Sequence, residues 1–325
     1  MIIHMKALIT APFHEEGLDI LKKYMDVKYE SWKDTGKLYM NTDAFIEKIK
    51  REGADVLIVE ADIIDEEVLD ACDPRIIGCC RGNPINIDAE EVKKRDIPFF
   101  HTPARNAEAV AELTIAMMLD VARHIIEIDR TLRSGEFFVE DEKDLVDLYT
   151  RFVGVEISGK KVGIVGLGNI GFEVAKRLKG FDVEILVYDP YVDDEKINKI
   201  NGKRADLDTL MKESDFVTLH TSPMPETEGL IGKREISLMK PTACFFNTSR
   251  SYCIDEDELY KAIEEGKIAG AGLDVHSVEP VDSNNRFLKF DNVVVTPHVG
   301  GQTRDSIKKQ SLIMAKEIEK YLLKK

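Results

Sequence analysis

The run KKVGIVGLGNIGFEVAKRLKG at positions 160–180 constrains the fold of this chain more than any other feature. An apolar strand, VGIV, leads into Gly166-Leu167-Gly168-Asn169-Ile170-Gly171, and a helix begins at once. Gly166 permits the tight turn, Gly168 lets a pyrophosphate approach the backbone, and Gly171 lets the helix pack close to the strand. The pyrophosphate then sits at the positive end of the helix, on free N–H groups. A bare G-x-G-x-x-G says little. The strand before it and the helix after it are the context that a dinucleotide fold requires. The next apolar strand, EILVYD, ends in Asp189, eighteen residues after Gly171. A carboxylate there accepts hydrogen bonds from the adenosine ribose and repels a 2′-phosphate. Pro190, Tyr191 and Val192 follow with no arginine among them, so the sequence predicts NAD over NADP.

With 325 residues the chain is long for one core and comfortable for two domains. In the first hundred residues short apolar runs alternate with amphipathic ones. Strands are expected over 6–10, 54–60, 75–80 and 97–102, and helices over 17–25, 65–72 and 89–96. Such alternation indicates a parallel sheet covered on both faces. A long helix is expected from about Ala107 to Ile128, with Asn106 as its cap. The acidic stretch 134–147 reads as a surface excursion. A second βα series runs from Lys160 to Thr296, and an amphipathic helix from about Thr303 to Leu323 closes the chain. The fold class is therefore α/β, with doubly wound parallel sheets.

Charge narrows the partners. The net charge is −15, and no Lys/Arg block offers a face to nucleic acid. An anionic substrate would meet an opposing global field, so local cations and backbone N–H groups must hold it. The start MIIHMKALITAPF lacks the apolar core and cleavage site of a signal peptide, and no run approaches a membrane span. The five cysteines, Cys72, Cys79, Cys80, Cys244 and Cys253, are odd in number and show no C-x-x-C spacing. They read as reduced thiols of a cytoplasmic protein, with Cys79–Cys80 as small buried hydrophobes rather than a redox pair. No metal site is expected.

Three apolar runs downstream of the glycine turn each end in a group with chemistry. CFFNTSRS (244–251) carries Arg250, GAGLDVHSVEP (270–280) carries Asp274 and Glu279, and NVVVTPHVGGQT (292–303) carries His298. Ligands of open α/β sheets bind outside the carboxyl ends of the strands. Reduction of a 2-keto acid needs a hydride at carbon and a proton at oxygen. Histidine, which titrates near neutrality, suits the proton; a neighbouring carboxylate favours its charged form and orients it. Arginine matches a carboxylate with a planar fork, and NAD carries the hydride. Taken singly, Arg250 reads as a surface ion-pair residue, Glu279 as a solvated turn and His298 as a loop histidine. Their joint placement after a dinucleotide motif makes them a candidate site.

The stretches NAEAVAELTIAMML (106–119), VGIVGLGNIG (162–171), VTLHTSPMPETEGLI (217–231), FFNTSR (245–250), GAGLDVHSVEP and VVVTPHVGG (293–301) resemble the D-isomer-specific 2-hydroxyacid dehydrogenases. That family includes phosphoglycerate dehydrogenases and glyoxylate/hydroxypyruvate reductases, and the likeness covers nearly the whole chain. It implies two Rossmann-like or flavodoxin-like domains, the substrate-binding one discontinuous: 1–105 with 302–325 returning to it, and an NAD-binding domain over 106–301. It implies Arg250 on the substrate carboxylate, His298 as acid/base and Glu279 as its partner. It also implies cofactor contacts from Asn169, Ile170, Asp189, Thr248, Ser249, Asp274, Gly300 and Gly301. Asp274 would face the nicotinamide carboxamide, and His220 and Thr221 would lie along the cofactor cleft. A homodimer and D-stereochemistry are implied in the same way.

The departures are informative. The substrate loop reads Arg81-Gly82-Asn83-Pro84, with asparagine where a glycine is common, and Ser251 stands where a glycine usually follows the arginine. Phosphoglycerate dehydrogenases carry arginines just after the strand that corresponds to ADVLIVE; this chain has Glu60, Ala61 and Asp62. Carboxylates facing a phosphate dianion repel it, so glyoxylate, hydroxypyruvate or a longer keto acid is expected over the phosphorylated substrate, unless the two face solvent instead. His14 and Arg81 are candidate replacement contacts. D-3-phosphoglycerate dehydrogenase is the alternative within the same chemistry. An NAD-sensing, corepressor-like binding protein is the alternative outside it, disfavoured by the intact Arg250, Glu279 and His298. Formate dehydrogenases, which pair histidine with glutamine, are disfavoured by Glu279.

Overall fold

The computed structural model describes residues 5–135 and 137–324. The first four residues, part of the segment read for a leader, and Glu136 of the acidic stretch lie outside the described residues. The chain divides into two units, 1–106 with 302–325, and 107–301.

The first unit is built on five parallel strands: β1 (Lys6–Ile9), β2 (Asp26–Tyr29), β3 (Val56–Val59), β4 (Ile76–Cys79) and β5 (Phe99–His101), in the order β2-β1-β3-β4-β5. This is the flavodoxin-like order, whose switch point lies between β1 and β3. Successive side chains of a strand point to opposite faces, and both faces are apolar here. Ala7, Ile9, Val56 and Ile58 enter one buried cluster, and Leu8, Leu57 and Val59 enter another. The helix Arg304–Leu322 returns to cover the first face with Met314, Ala315 and Ile318. A Cβ at Gly78, in the middle of β4, would lie 2.6 Å from the Met314 sulfur.

The second unit holds β6 (Lys161–Val165), β7 (Glu184–Tyr188), β8 (Lys203–Arg204), β9 (Phe216–Leu219), β10 (Cys244–Asn247), β11 (Gly270–Leu273) and β12 (Val293–Val295). They form one parallel sheet in the order β12-β11-β10-β9-β6-β7-β8. Its switch point lies between β6 and β9, the arrangement of a dinucleotide-binding fold. Val162, Ile164 and Val187 fill the cluster on one face, and Val165, Leu186, Val217 and Leu219 that on the other.

One reading needs correction. The helix expected over 107–128 stops at Arg123. His124 takes a left-handed conformation (φ 57°), and a second helix runs over Ile125–Ser134, its first turn held by the Asp120 carboxylate, which accepts the N–H of Ile126. The acidic stretch includes the start of an exposed helix at Glu142–Arg151, capped by Asp141. Between β1 and β3 the structure adds β2 and the helix Thr42–Glu52, segments for which the sequence pattern gave no assignment.

Glu60 and Asp62 do not face solvent. Both are buried, Asp62 completely. Asp62 accepts the Thr10 hydroxyl and, at 2.8 Å, the backbone N–H of Tyr39. Glu60 accepts the Trp32 indole N–H at 3.1 Å and pairs with Arg105 at 2.7 Å. Desolvation forces a buried carboxylate to find such partners. The cysteine reading agrees with the structure: all five are free thiols, four of them buried, and burial pushes Cys79 and Cys244 up to about 12.

Asp62 thus ties the ends of β1 and β3 to the segment before the helix Thr42–Glu52. Asp62→Ala should lower the unfolding free energy by about 2–4 kcal/mol, because it strands a buried N–H and a hydroxyl. Urea denaturation measures this, and Asp62→Asn, which keeps an acceptor for Tyr39, should cost less.

Candidate active site

At the switch point of the second unit the three glycines differ in what surrounds them. Gly166 has φ +92°, and a Cβ there would come within 2.9 Å of the His220 carbonyl. A Cβ on Gly171 would lie 2.1 Å from the Gly166 oxygen, so the helix and the turn meet with no room for a side chain. Gly168 has open space where its Cβ would be. It precedes the helix Asn169–Leu178, whose first turn has no side-chain cap. Open space in front of free N–H groups at a helix N-terminus is an anion cradle.

Beside it, β9 ends in His220 and Thr221. His220 Nε2 is 2.9 Å from the Thr218 hydroxyl, whereas its Nδ1 and the Thr221 hydroxyl are buried with no partner. Burial keeps this imidazole neutral, pushed down to about 3. Buried polar atoms without partners are rare in native proteins and mark places where a ligand or water belongs. Asp189 ends the next strand. One carboxylate oxygen accepts the N–H of Leu167 at 2.8 Å, and the other accepts the N–H of Tyr191 at 2.9 Å and of Val192 at 3.2 Å. Asp189 therefore fixes the glycine turn, with acceptor capacity left over for a ribose hydroxyl. Sequence reasoning missed Arg204, which donates to the Asp189 and Val192 carbonyls and pairs with Asp194. It is remote in sequence from Asp189, and its fork is already engaged.

Three further loops leave the carboxyl ends of β10, β11 and β12. After β10 the Asn247 side chain organises the turn. Its oxygen accepts the N–H and hydroxyl of Ser249, and its amide donates to the Arg250 carbonyl at 3.0 Å. Thr248 is anchored through its hydroxyl to Thr114 at 2.8 Å. Arg250 itself is exposed; one guanidinium nitrogen donates to the Ser249 carbonyl at 2.6 Å. Ser251 opens a short 3-10 turn.

His298 has a left-handed backbone (φ 55°), unusual for a residue with a side chain. Its Nδ1 lies 2.8 Å from Glu279 Oε2. A carboxylate only accepts, so Nδ1 carries hydrogen and Nε2 is the nitrogen left for proton transfer. The other Glu279 oxygen accepts the backbone N–H of His276 at 3.0 Å. Burial pushes the Glu279 carboxyl up, but the hydrogen bonds it accepts from the His298 ring and the His276 backbone N–H outweigh this and hold it below the ordinary value. Asp274 is almost fully buried. It accepts the Thr296 hydroxyl at 2.6 Å and the backbone N–H groups of Val299 at 2.8 Å and Gly300 at 2.9 Å. In this structure it clamps the loop that carries His298, and Gly301 ends the unit. The second unit thus brings Glu279, His298 and Asp274 into one hydrogen-bonded group. Asn247, His276 and Thr296 support it and were not singled out from sequence, although all three lie inside the quoted motifs.

In the first unit, Arg81, Gly82 and Asn83 form the loop after β4. Arg81 is half-buried, Gly82 and Asn83 are exposed, and the Arg81 carbonyl accepts the N–H of Thr102 at 3.0 Å. The His14 ring caps the helix Glu15–Leu21 through the N–H of Glu16. Among the described residues no group of three or more His, Cys, Asp or Glu side chains is placed to hold a metal, and no helix is long and apolar enough to cross a membrane.

Comparisons with known proteins bear on this geometry. The family profile "D-isomer specific 2-hydroxyacid dehydrogenase, NAD binding domain" matches residues 115–300. The chain is 38% identical to the glyoxylate reductase of Thermococcus litoralis over 315 residues, covering 96% of this chain and 92% of that protein. It is 37% identical over 316 residues to the D-3-phosphoglycerate dehydrogenase of Archaeoglobus fulgidus, covering 97% of this chain but 56% of that protein. Among solved structures, the TT0316 protein from Thermus thermophilus matches with a TM-score of 0.84 at 28% identity, covering 99% of this chain and 98% of that one.

The open cradle at Gly168, the uncapped helix and the unpartnered His220 and Thr221 atoms suit NAD. Gly168→Ala should leave the melting temperature within about 2 °C, since nothing opposes the added methyl, yet weaken NADH binding tenfold or more. Gly171→Ala should destabilise the fold itself, because a backbone oxygen occupies the space. Thermal unfolding and fluorescence titration with NADH separate the two outcomes.

Proposed function

Since the chain belongs to the D-isomer-specific 2-hydroxyacid dehydrogenase family, and is thus an NAD-dependent oxidoreductase acting on a CH–OH group, we propose that it reduces small unphosphorylated 2-keto acids such as glyoxylate or hydroxypyruvate. His298 is the proton donor, Glu279 its partner and Arg250 the carboxylate clamp. The observation that carries this reading is the 2.8 Å contact between His298 Nδ1 and Glu279 Oε2.

Bound NADH supplies the hydride that the keto carbon accepts. The residues of the chain do the rest. Glu279, ionised across the neutral range, accepts the His298 Nδ1 hydrogen and fixes the orientation of the ring. Nε2 then delivers its proton to the keto oxygen as the alcohol forms and takes it back in the reverse reaction. Arg250 keeps guanidinium donors beyond the one given to Ser249, enough to grip a carboxylate and polarise the neighbouring carbonyl. The free N–H groups after Gly168 and the buried His220 and Thr221 atoms hold the dinucleotide.

Preference for an unphosphorylated acid has a different physical basis from the one first expected. Glu60 is neutralised by Arg105 and Asp62 is sealed inside the unit, so neither confronts a phosphate. Support for the unphosphorylated acid comes instead from Arg105, whose guanidinium is already paired with Glu60 just after β3. The 3-phosphoglycerate alternative remains the one to measure against. A homodimer is part of the same reading. Over 125–155 the chain exposes large apolar side chains, among them Phe138 at 70%, Tyr149 at 71% and Val153 at 69%. A concentration of this kind marks an interaction surface. Five free thiols fit a reducing cytoplasm.

Steady-state oxidation of NADH with a panel of 2-keto acids tests the substrate. Hydroxypyruvate or glyoxylate should outrun 3-phosphohydroxypyruvate in kcat/KM; a strong preference for the phosphorylated acid would overturn the proposal. His298→Ala should lower kcat by roughly 100- to 10,000-fold, the usual worth of a general acid, while the Kd for NADH changes less than about twofold. Arg250→Ala should raise KM for the keto acid and also depress kcat. A full rate in either variant would refute its assigned role.

A further inference from the structure

The contact between Glu279 and His298 joins two loops that leave different strands, one after β11 and one after β12. His276 touches both. Its backbone N–H donates to Glu279 Oε1 at 3.0 Å, and its ring Nε2 lies 3.1 Å from the Thr296 carbonyl oxygen, two residues before His298. The side chain is buried, at 4% exposure.

The hydrogen-bond directions can be followed outward from fixed points. A carbonyl only accepts, so Nε2 carries hydrogen. On the other side, Asn285 Oδ1 accepts the N–H of Phe287 at 2.9 Å, which turns the Asn285 NH2 toward His276 Nδ1 at 3.4 Å. Nδ1 is therefore an acceptor. The ring is a neutral Nε2–H imidazole with both nitrogens engaged. A proton on Nδ1 would face the Asn285 NH2 group, and turning that amide over would take its oxygen from Phe287. The nearby charges are themselves occupied. Glu256 accepts the N–H and hydroxyl of Ser277, Asp257 pairs with Arg286, and Glu279 is shared with His298. His276 also lies beside an open pocket of about 470 Å³ that Ser277, Asn284 and Asn285 line with it.

We propose that His276 is a positioning residue for the reaction, its neutral Nε2–H imidazole holding the His298 loop in register with Glu279. The Thr296 carbonyl already accepts the His298 N–H at 3.1 Å, and the His276 ring adds a second donor to the same oxygen, tying the turn that carries His298 to the loop that carries Glu279. The proposal rests on His298 being the acid/base.

Two measurements test it. In protein labelled with 15N-histidine, two-bond 1H–15N correlations at pH 7, with His276 assigned by its loss in His276→Gln, should show hydrogen on Nε2 and none on Nδ1. A doubly protonated ring or an Nδ1–H tautomer would overturn the proposal. This holds whatever the fate of His298, whose own reading fails separately if His298→Ala keeps its rate. In kinetics with the preferred keto acid, His276→Leu should lower kcat by about tenfold to a hundredfold, as loss of positioning does. It should leave KM for NADH within about twofold. His276→Gln still offers an N–H toward Thr296 and should recover most of the loss. Indistinguishable Leu and Gln variants, or a Leu variant equal to wild type, would contradict the role.

Discussion

The candidate site depends on the Asp274 carboxylate. It accepts the Thr296 hydroxyl and the N–H groups of Val299 and Gly300, and so holds the backbone that turns left-handed at His298. Such a conformation costs about 1–3 kcal/mol at a residue with a side chain. Hydrogen bonds to a charged group contribute roughly 1.5–3 kcal/mol each, and there are three. The clamp therefore outweighs the strain.

Around that clamp, three loops at the carboxyl edge of the sheet are each fixed by one polar side chain. Asp189 does this for the glycine turn, Asn247 for the turn before Arg250, and Asp274 for the His298 loop. His298 Nε2, the remaining Arg250 donors and the N–H groups after Gly168 are the groups to which the proposed function gives the chemistry. In a chain of net charge −15, an anionic substrate meets repulsion at long range and attraction only at short range. This placement of donors supplies that attraction.

The local features were legible in the sequence. Three glycines between a strand and a helix dictate their own geometry, and the spacing to Asp189 follows from one βα unit. The family resemblance rested on such motifs, and the comparisons show that family. What the sequence did not disclose depends on partners far along the chain. Nothing local says that Glu60 meets Arg105 and Trp32, or that Asp62 meets Thr10 and Tyr39; only the packed sheet brings these groups together. The helix break at His124 was hidden because histidine, unlike glycine, does not advertise a left-handed turn. Asp274 is a cofactor group only by the resemblance, and nothing local disclosed the three hydrogen bonds it accepts from the loop that carries His298.

The central claim is that the Glu279 carboxylate holds the His298 imidazole in place, with hydrogen on Nδ1 and Nε2 turned free for the proposed proton transfer. The Glu279 carboxyl is held below the ordinary range, so its charge persists from mildly acidic pH upward and fades only as pH falls through that lowered value. The decisive measurement is kcat near neutral pH for Glu279→Gln beside wild type. The account predicts a loss of about tenfold or more, because an amide no longer fixes Nδ1 as the donor. An undiminished rate would contradict it.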